Sequence, residues 1–525
     1  MKRLLLIILV FITCLNRSAA QSWQWGLEGG SSGPVYTDGR TASRTLLFDT
    51  DKDGEGNFYI LSSVGKEDRH VGSYLIPSDT IPGNLLLTSL DCNGKHRWTK
   101  LFSSNILRSY GGYQLSVSNK GDVYILAQLG AVLSCKICSP PFEYYKTRID
   151  TDTVFAGDTT RCYLICYSTE GKYKWLRTVS GPSEMKDYYF PTDVSADAAG
   201  NACVLGIFPP GMPVRHSGLK IPATLPDTGQ RSPYIITYSR TGTPTNVTRL
   251  EDLSFMHSNY TPNWYFLRLK CDVYTNGYYV TGLLNPQLPP VNYEPDTVFV
   301  KKSQLNASIY VISYDKWGKQ KWARHDSTYF GNNYIVGVEP DPNDGLYIGG
   351  TIHDSNSFAG HTFLSELLKR PSYFHPLARL TDNNHPFAMK LDKNGNYVWS
   401  SHASGVSVSG AYPPFYNTIL AISGFAANEN FVALGFRAKD LFHLEGIDTM
   451  TMPGKTVSGR AGAVVTFLNK SMGKLMRWDS FTIDGAIGLT SLGGFAASKQ
   501  NLYISGIFTT SFTVGKHVAA ADSWP

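Results

Sequence analysis

"YDKWGKQKWAR", residues 314–324, sets an acidic residue three positions before a glycine and a tryptophan four positions after it. Nearly the same phrase stands as "LDCNGKHRWTK" at 90–100, "YSTEGKYKWLR" at 167–177 and "LDKNGNYVWSS" at 391–401. The glycines of the series, Gly94, Gly171, Gly242, Gly318, Gly395 and Gly473, are 77, 71, 76, 77 and 78 residues apart. So steady a period marks a repeat architecture, each repeat a unit that stacks on its neighbours. Two copies are degenerate. "YSRTGTPTNVT" has lost its tryptophan, and "LNKSMGKLMRW" places Trp478 one residue late.

A second phrase alternates with the first: "DGEGNFYILSSVG" (53–65), "NKGDVYILAQLG" (119–130), "DAAGNACVLGIF" (197–208) and four later copies ending at "SKQNLYISGIF" (498–508). Each is a Gly, Asn or Asp turn followed by alternating β-formers, which is a hairpin signature. Two hairpins per period make four strands, and no segment keeps a helical period. Four antiparallel strands repeated around a ring describe an all-β fold, a β-propeller of seven four-stranded blades. Trp23 lies 75 residues before Trp98, so an N-terminal strand is expected to close the last blade and remove its edge. The spacing leaves that last blade without its third strand at the C-terminal end.

The composition fits one large repetitive domain over 21–525: 42% hydrophobic, 17% charged and 13% aromatic. A net charge of +6 with no dense Lys/Arg block gives a nucleic-acid partner no support. Residues 1–20 read as a signal peptide. Lys2 and Arg3 precede the apolar run "LLLIILVFI", and "SAA" offers small residues before Gln21. That run is too short for a membrane span, and no later stretch reaches spanning length. The expectation is an exported monomer, secreted or held at a cell surface.

Seven cysteines follow the signal. Cys135-x-x-Cys138 and Cys162-x-x-x-Cys166 invite a zinc reading. "CYLICYS" reads as a strand, however, and four residues along a strand span roughly 13 Å, too far for two sulfurs on one metal. A disulfide from the 131–160 segment to that strand ranks first, buried thiols second and zinc last.

"DAAGNACVLGIF" and "FAMKLDKNGNYVWSS" resemble the β-propeller repeats of SBBP type found in secreted bacterial proteins, over nearly the whole mature chain. That resemblance implies the fold and export, and it supplies no catalytic residues. The tryptophan phrase is also similar to the docking motif of quinoprotein propellers, without the adjacent cysteine pair associated with their cofactor site. The sialidase Asp box does not fit, because "STEGKYKW" has its glycine in another place.

"DTDKDGEGN" at 49–57 offers Asp49, Asp51, Asp53 and Asn57 as calcium ligands in a D-x-D-x-D-G pattern. The competing reading is a plain turn, since Asp197-Ala-Ala-Gly200-Asn201 has the same form without the extra carboxylates. "GGSSG" at 29–33 satisfies G-x-S-x-G, but the strand and helix of a nucleophile elbow are missing around it.

Long connections near 62–84, 131–160, 208–232, 284–307 and 352–385 enlarge one face of the ring. Tyrosine-rich clusters precede the inner strands, placing Tyr110, Tyr189, Tyr260, Trp264, Tyr334, Tyr412 and Tyr416 as candidate ligand-binding rings around the channel mouth. Packing of these rings between blades is the equal alternative. The functional expectation is a binding module for glycan, peptide or a surface protein. Its rival is an enzyme on the same scaffold, such as a glycan lyase or hydrolase, since a propeller fold serves either.

Overall fold

The computed structural model describes residues 47–64, 84–103, 113–129, 161–179, 190–208, 230–250, 267–284, 308–326, 333–353, 356–363, 384–406, 422–438, 462–484 and 491–507 (344 and 500 excepted), with short hairpins between them. Every element in them is a strand or a turn. Six four-stranded antiparallel sheets follow one another along the chain. From inner to outer strand, the first blade runs Leu47–Lys52, Phe58–Val64, Asn84–Leu90 and His96–Ser103. The second runs Tyr113–Val117, Asp122–Leu129, Arg161–Ser168 and Tyr173–Thr178. Phe190–Ala196, Ala202–Phe208, Gln230–Tyr238 and Pro244–Arg249 form the third, and Arg268–Cys271, Tyr278–Leu284, Ser308–Tyr314 and Gln320–His325 the fourth. The fifth has Tyr334–Asp341, Gly345–His353, Asn384–Asp392 and Tyr397–Val406; the sixth has Ile422–Ala427, Phe431–Ala438, Gly462–Asn469 and Leu475–Asp484.

The propeller is therefore as expected, with six complete blades where the spacing predicts seven. A two-stranded hairpin, Ser491–Ala497 with Leu502–Ile507, takes the seventh place between the sixth and first blades. Phe495 fills a notch over Gly424 and Gly435 on the sixth-blade side, and Thr50 fills one over Gly494 on the first-blade side. The Tyr503 hydroxyl donates to the Gly56 carbonyl at 2.7 Å, and its ring stacks on Phe58. Trp23, expected to complete this last blade, lies outside the described residues. The nearest described strand, Gly29–Ser32, pairs with Glu67–Val71.

Apolar side chains gather between blades, not within them. Seven hydrophobic clusters each join residues of two adjacent blades. Alternation along each strand sends one set of side chains to either face, so each blade feeds two seams. The repeated phrase locks these seams. In the third-to-fourth hairpin a bulge precedes the turn, and the glycine adopts positive φ (Gly171 +78°, Gly395 +74°), which a side chain resists. The tryptophan of the preceding blade lies on that glycine. Trp98 Nε1–H donates to the Thr169 carbonyl, Trp175 to Arg240, Trp322 to Lys393 and Trp399 to Lys470, each at 2.8 Å. Trp175, Trp322 and Trp399 are buried as expected, while Trp98 is partly buried. In the third blade, which lost its tryptophan, Thr248 and the Arg249 carbonyl close directly on Gly318.

The long connections also build edges. Thr147–Ile149 and Thr153–Phe155, from the second blade's middle connection, add a hairpin to the first blade's outer strand. Leu441–Leu444 with Met450–Thr451 do the same for the fifth blade, and Ser511–Val514 with His517–Ala520 for the sixth. Each pairs off an outer edge that would otherwise present free backbone groups.

Candidate functional site

Seven inner strands surround the axis, and each leads into the first hairpin turn of its blade. Those turns are built by their first residue. Asp53 Oδ1 accepts the Asn57 amide at 2.8 Å and the Glu55 amide at 3.0 Å, while Oδ2 accepts from the Asn57 side chain and the Tyr59 hydroxyl. Two residues before the turn stand Asp51, Ser116, Ser195, Lys270 and Glu339 in the first five blades. Four residues before it stand Asp49, Gln114, Asp193 and Arg268, and from the fifth blade on Gly337, Gly424 and Gly494. Polar groups thus line the strands of the first to fifth blades, and small residues continue the ring.

These side chains bridge blades. Asp49 Oδ2 accepts the Leu115 amide at 2.8 Å and Asp51 Oδ2 the Val117 amide at 2.7 Å, tying the first inner strand to the second. Ser116 Oγ accepts the Ala196 amide at 3.0 Å, linking second to third. Asp193 Oδ2 accepts the Leu269 amide at 2.7 Å and Ser195 Oγ the Cys271 amide at 2.9 Å, linking third to fourth. Two cations from the fourth blade then reach further. Arg268 Nη1 donates to Gln114 Oε1 of the second blade, passing over the third, and Lys270 Nζ pairs with Glu339 Oε1 of the fifth at 3.0 Å.

The electrostatics follow from that convergence. Burial lifts the Asp49 carboxyl from 3.8 to about 7; the Arg268 charge and the amides of Leu115 and Thr50 pull it down, and Asp193 adds to the rise. Burial likewise raises Asp51 against Lys270, and Asp193 against Arg268. For Lys270 burial opposes the charge, yet Glu339 and Asp51 outweigh it and hold the ammonium above its usual range. The Lys270 and Glu339 side chains keep 34% and 31% of their surface exposed, so water reaches them. Such a site has acceptors and donors facing one axis, with four carboxylates against two cations.

At 49–57 the four candidate calcium ligands part ways. Asp53 and Asn57 satisfy each other within the turn, and Asp49 and Asp51 turn to the axis and bind second-blade amides. Among the described residues no group of three or more His, Cys, Asp or Glu side chains could hold a metal ion. The disulfide expectation changes too, because Cys162 and Cys166 are buried free thiols, and burial lifts Cys166 to about 12. Cys135 and Cys138 lie outside the described residues.

Of the candidate rings, Tyr334 opens the fifth inner strand, half-buried against the cluster between the fifth and sixth blades. Burial raises its hydroxyl above the usual range. This ring packs at a seam. Tyr110, Tyr189, Tyr260, Trp264, Tyr412 and Tyr416 lie outside the described residues. The channel residues Gln114, Asp193, Arg268, Lys270 and Glu339 were missed in the sequence. Aligning the repeats and reading the positions two and four before each inner hairpin turn would have found them.

No protein-family model matches the chain, and no characterised protein matches it in sequence. Among solved structures it is similar to quinohemoprotein alcohol dehydrogenase from Comamonas testosteroni, at 13% identity over 90% of this chain and 73% of that one, with a TM-score of 0.30. It is also similar to the hemagglutinin-neuraminidase ectodomain of parainfluenza virus 5, at 8% identity over 90% of this chain and 93% of that one, TM-score 0.30. Likenesses this distant transfer no activity to this chain.

Proposed function

We propose that this chain is an exported binding module that holds a polar ligand, a glycan or a peptide, in its central channel. The observation that carries the reading is the axial constellation: Asp49, Asp51, Gln114, Asp193, Arg268, Lys270 and Glu339 come from five blades and meet at one place. Sugar hydroxyls and peptide amides both donate and accept, which suits carboxylates set beside a guanidinium. The tyrosine-rich segments before the inner strands would meet such a ligand at the long-loop end. Lys2, Arg3 and the apolar run after them support export. A glycan and peptide array probed with the mature chain tests this reading. Binding abolished by Arg268→Met supports it, and an array without hits ends it.

A second reading, an enzyme at the same place, draws on one observation. The Asp49 and Asp193 carboxyls feel each other's charge, and Asp49 titrates near neutrality. A carboxyl poised so can act as acid or base. Turnover of an array hit, lost in Asp49→Asn with binding retained, would select it over simple binding.

A further inference from the structure

Two thiols face the seam that carries three of the seven channel residues, Asp193, Arg268 and Lys270. Cys203 lies on the second strand of the third blade, directly opposite Ser195 in register. Cys271 ends the inner strand of the fourth blade; its amide donates to Ser195 Oγ at 2.9 Å and its thiol to the Ser195 carbonyl at 3.5 Å. Ser195 therefore brings both cysteines to one point. Each thiol lies within electrostatic reach of the other, and both bear on the Tyr278 hydroxyl. They are free thiols in this structure, like Cys162 and Cys166, and sit in one apolar cluster, 1% and 2% exposed. Cys203 also reaches Thr237 Oγ1 at 3.7 Å. The other described pair cannot do this, because Cys162 and Cys166 are four residues apart on one strand, roughly 13 Å by strand rise.

We propose that Cys203 and Cys271 form a disulfide that staples the third blade to the fourth. The oxidant is a low-molecular-weight disulfide such as oxidised glutathione. One cysteine thiolate attacks a glutathione sulfur, forming a mixed disulfide and releasing one glutathione thiolate. The second cysteine then attacks the protein sulfur of that mixed disulfide and releases the other glutathione. Two protein thiols are oxidised, one glutathione disulfide is reduced to two thiols, and the two protons lost by the protein thiols end on the two glutathione thiols. Buried thiols in a closed seam are slow to react, so the exchange belongs to folding or to transient opening of this seam.

The staple would change what holds the site. Asp193 and Arg268 stand in the two strands it joins, and in the reduced chain the Asp193–Leu269 and Ser195–Cys271 hydrogen bonds carry their alignment. The cysteines are 68 positions apart, so the bridge closes a long loop and restricts the unfolded chain substantially.

The test folds the full chain in a glutathione redox buffer and in a reducing buffer, then denatures, alkylates and maps peptides. The expected result is a linked pair of peptides carrying Cys203 and Cys271, absent from the reduced sample. The oxidised chain should melt roughly 5 °C higher, and Cys203→Ala with Cys271→Ala should abolish that gain. Cys162→Ala, which folds with the pair intact, should keep the link. Full alkylation of Cys203 and Cys271 after oxidative folding overturns the proposal. So does a link from either one to Cys135 or Cys138, or a mapped link that leaves the melting temperature unchanged.

Discussion

The indole N–H of Trp322 donates to the Lys393 carbonyl at 2.8 Å, across 71 residues and from one blade to the next. The ring lies on Gly395, where an added Cβ would come within 2.6 Å of Trp322 Cδ2. Arg324 completes the clasp, its guanidinium over the indole and its Nε donating to the Gly395 carbonyl at 2.8 Å. Tryptophan and glycine form one joint, made of two blades.

Trp322→Ala should therefore cost about 3–5 kcal/mol, the usual loss for a buried large ring. Gly395→Ala should cost about 1–3 kcal/mol through positive φ alone, with the clash added. Because both remove the same joint, the double variant should lose clearly less than the sum of the two singles. Urea unfolding of the four proteins reads this; strict additivity would show that the residues act separately.

Asp49 makes stability depend on pH in a stated direction. Its carboxyl titrates at about 7 in the fold against 3.8 when unfolded, so the folded chain binds more protons between those values. Its contribution to stability falls as pH rises from about 4 through 7 and is level above. A carboxamide in its place would keep an acceptor for the Leu115 amide and carry no charge. Asp49→Asn should therefore flatten that slope and raise the melting temperature at pH 8. Identical pH profiles for the two proteins would contradict the assignment.

Arg268 is the cation facing both Asp49 and Asp193. Arg268→Met keeps the stem and removes the charge, leaving those carboxyls to repel each other. The Asp49 titration should move further upward and stability at pH 8 should drop by about 3–5 kcal/mol, as when one partner of a buried pair is removed. Thermal melts between pH 5 and 9 follow both effects, which should be small at pH 5.

The hairpin Leu441–Leu444 with Met450–Thr451 covers the fifth blade's outer strand, where Ala403–Val406 pair with it. Replacing residues 441–451 by a short Gly/Ser linker should bare that edge. Light scattering should then show concentration-dependent association, while the chain stays folded by circular dichroism. A chain that remains monomeric at high concentration would mean the edge is protected otherwise.

The repeat was legible because its residues answer local demands. A positive-φ turn needs glycine, and an indole N–H needs an acceptor at a fixed place, so the pair Trp98 and Gly171 recurs at four of the seams between blades. The channel was not legible for the opposite reason. Gln114 and Arg268 are 154 residues apart, and nothing near either one announces the other. The run Asp49, Asp51, Asp53 imitates a metal loop because alternate strand residues share a face. The chain turns at Asp53, and that carboxylate is spent on its own hairpin. Complete blades number six because the expectation of seven counts copies of the second phrase, the inner hairpins, and the seventh of these has no described outer pair.

The edge hairpins have a bearing on how such a ring could gain or lose a blade. The strands that finish the first and fifth sheets come from the middle connection of the blade that follows, and those that finish the sixth follow the second strand of the seventh-place hairpin. Tryptophan clasps point the same way along the chain. A cut between two sheets would thus strip one of its border and the other of its clasp. The segment that can be copied or deleted cleanly is out of phase with the sheet seen in space. Recombination, or an engineer, would have to splice inside a blade to add a whole one.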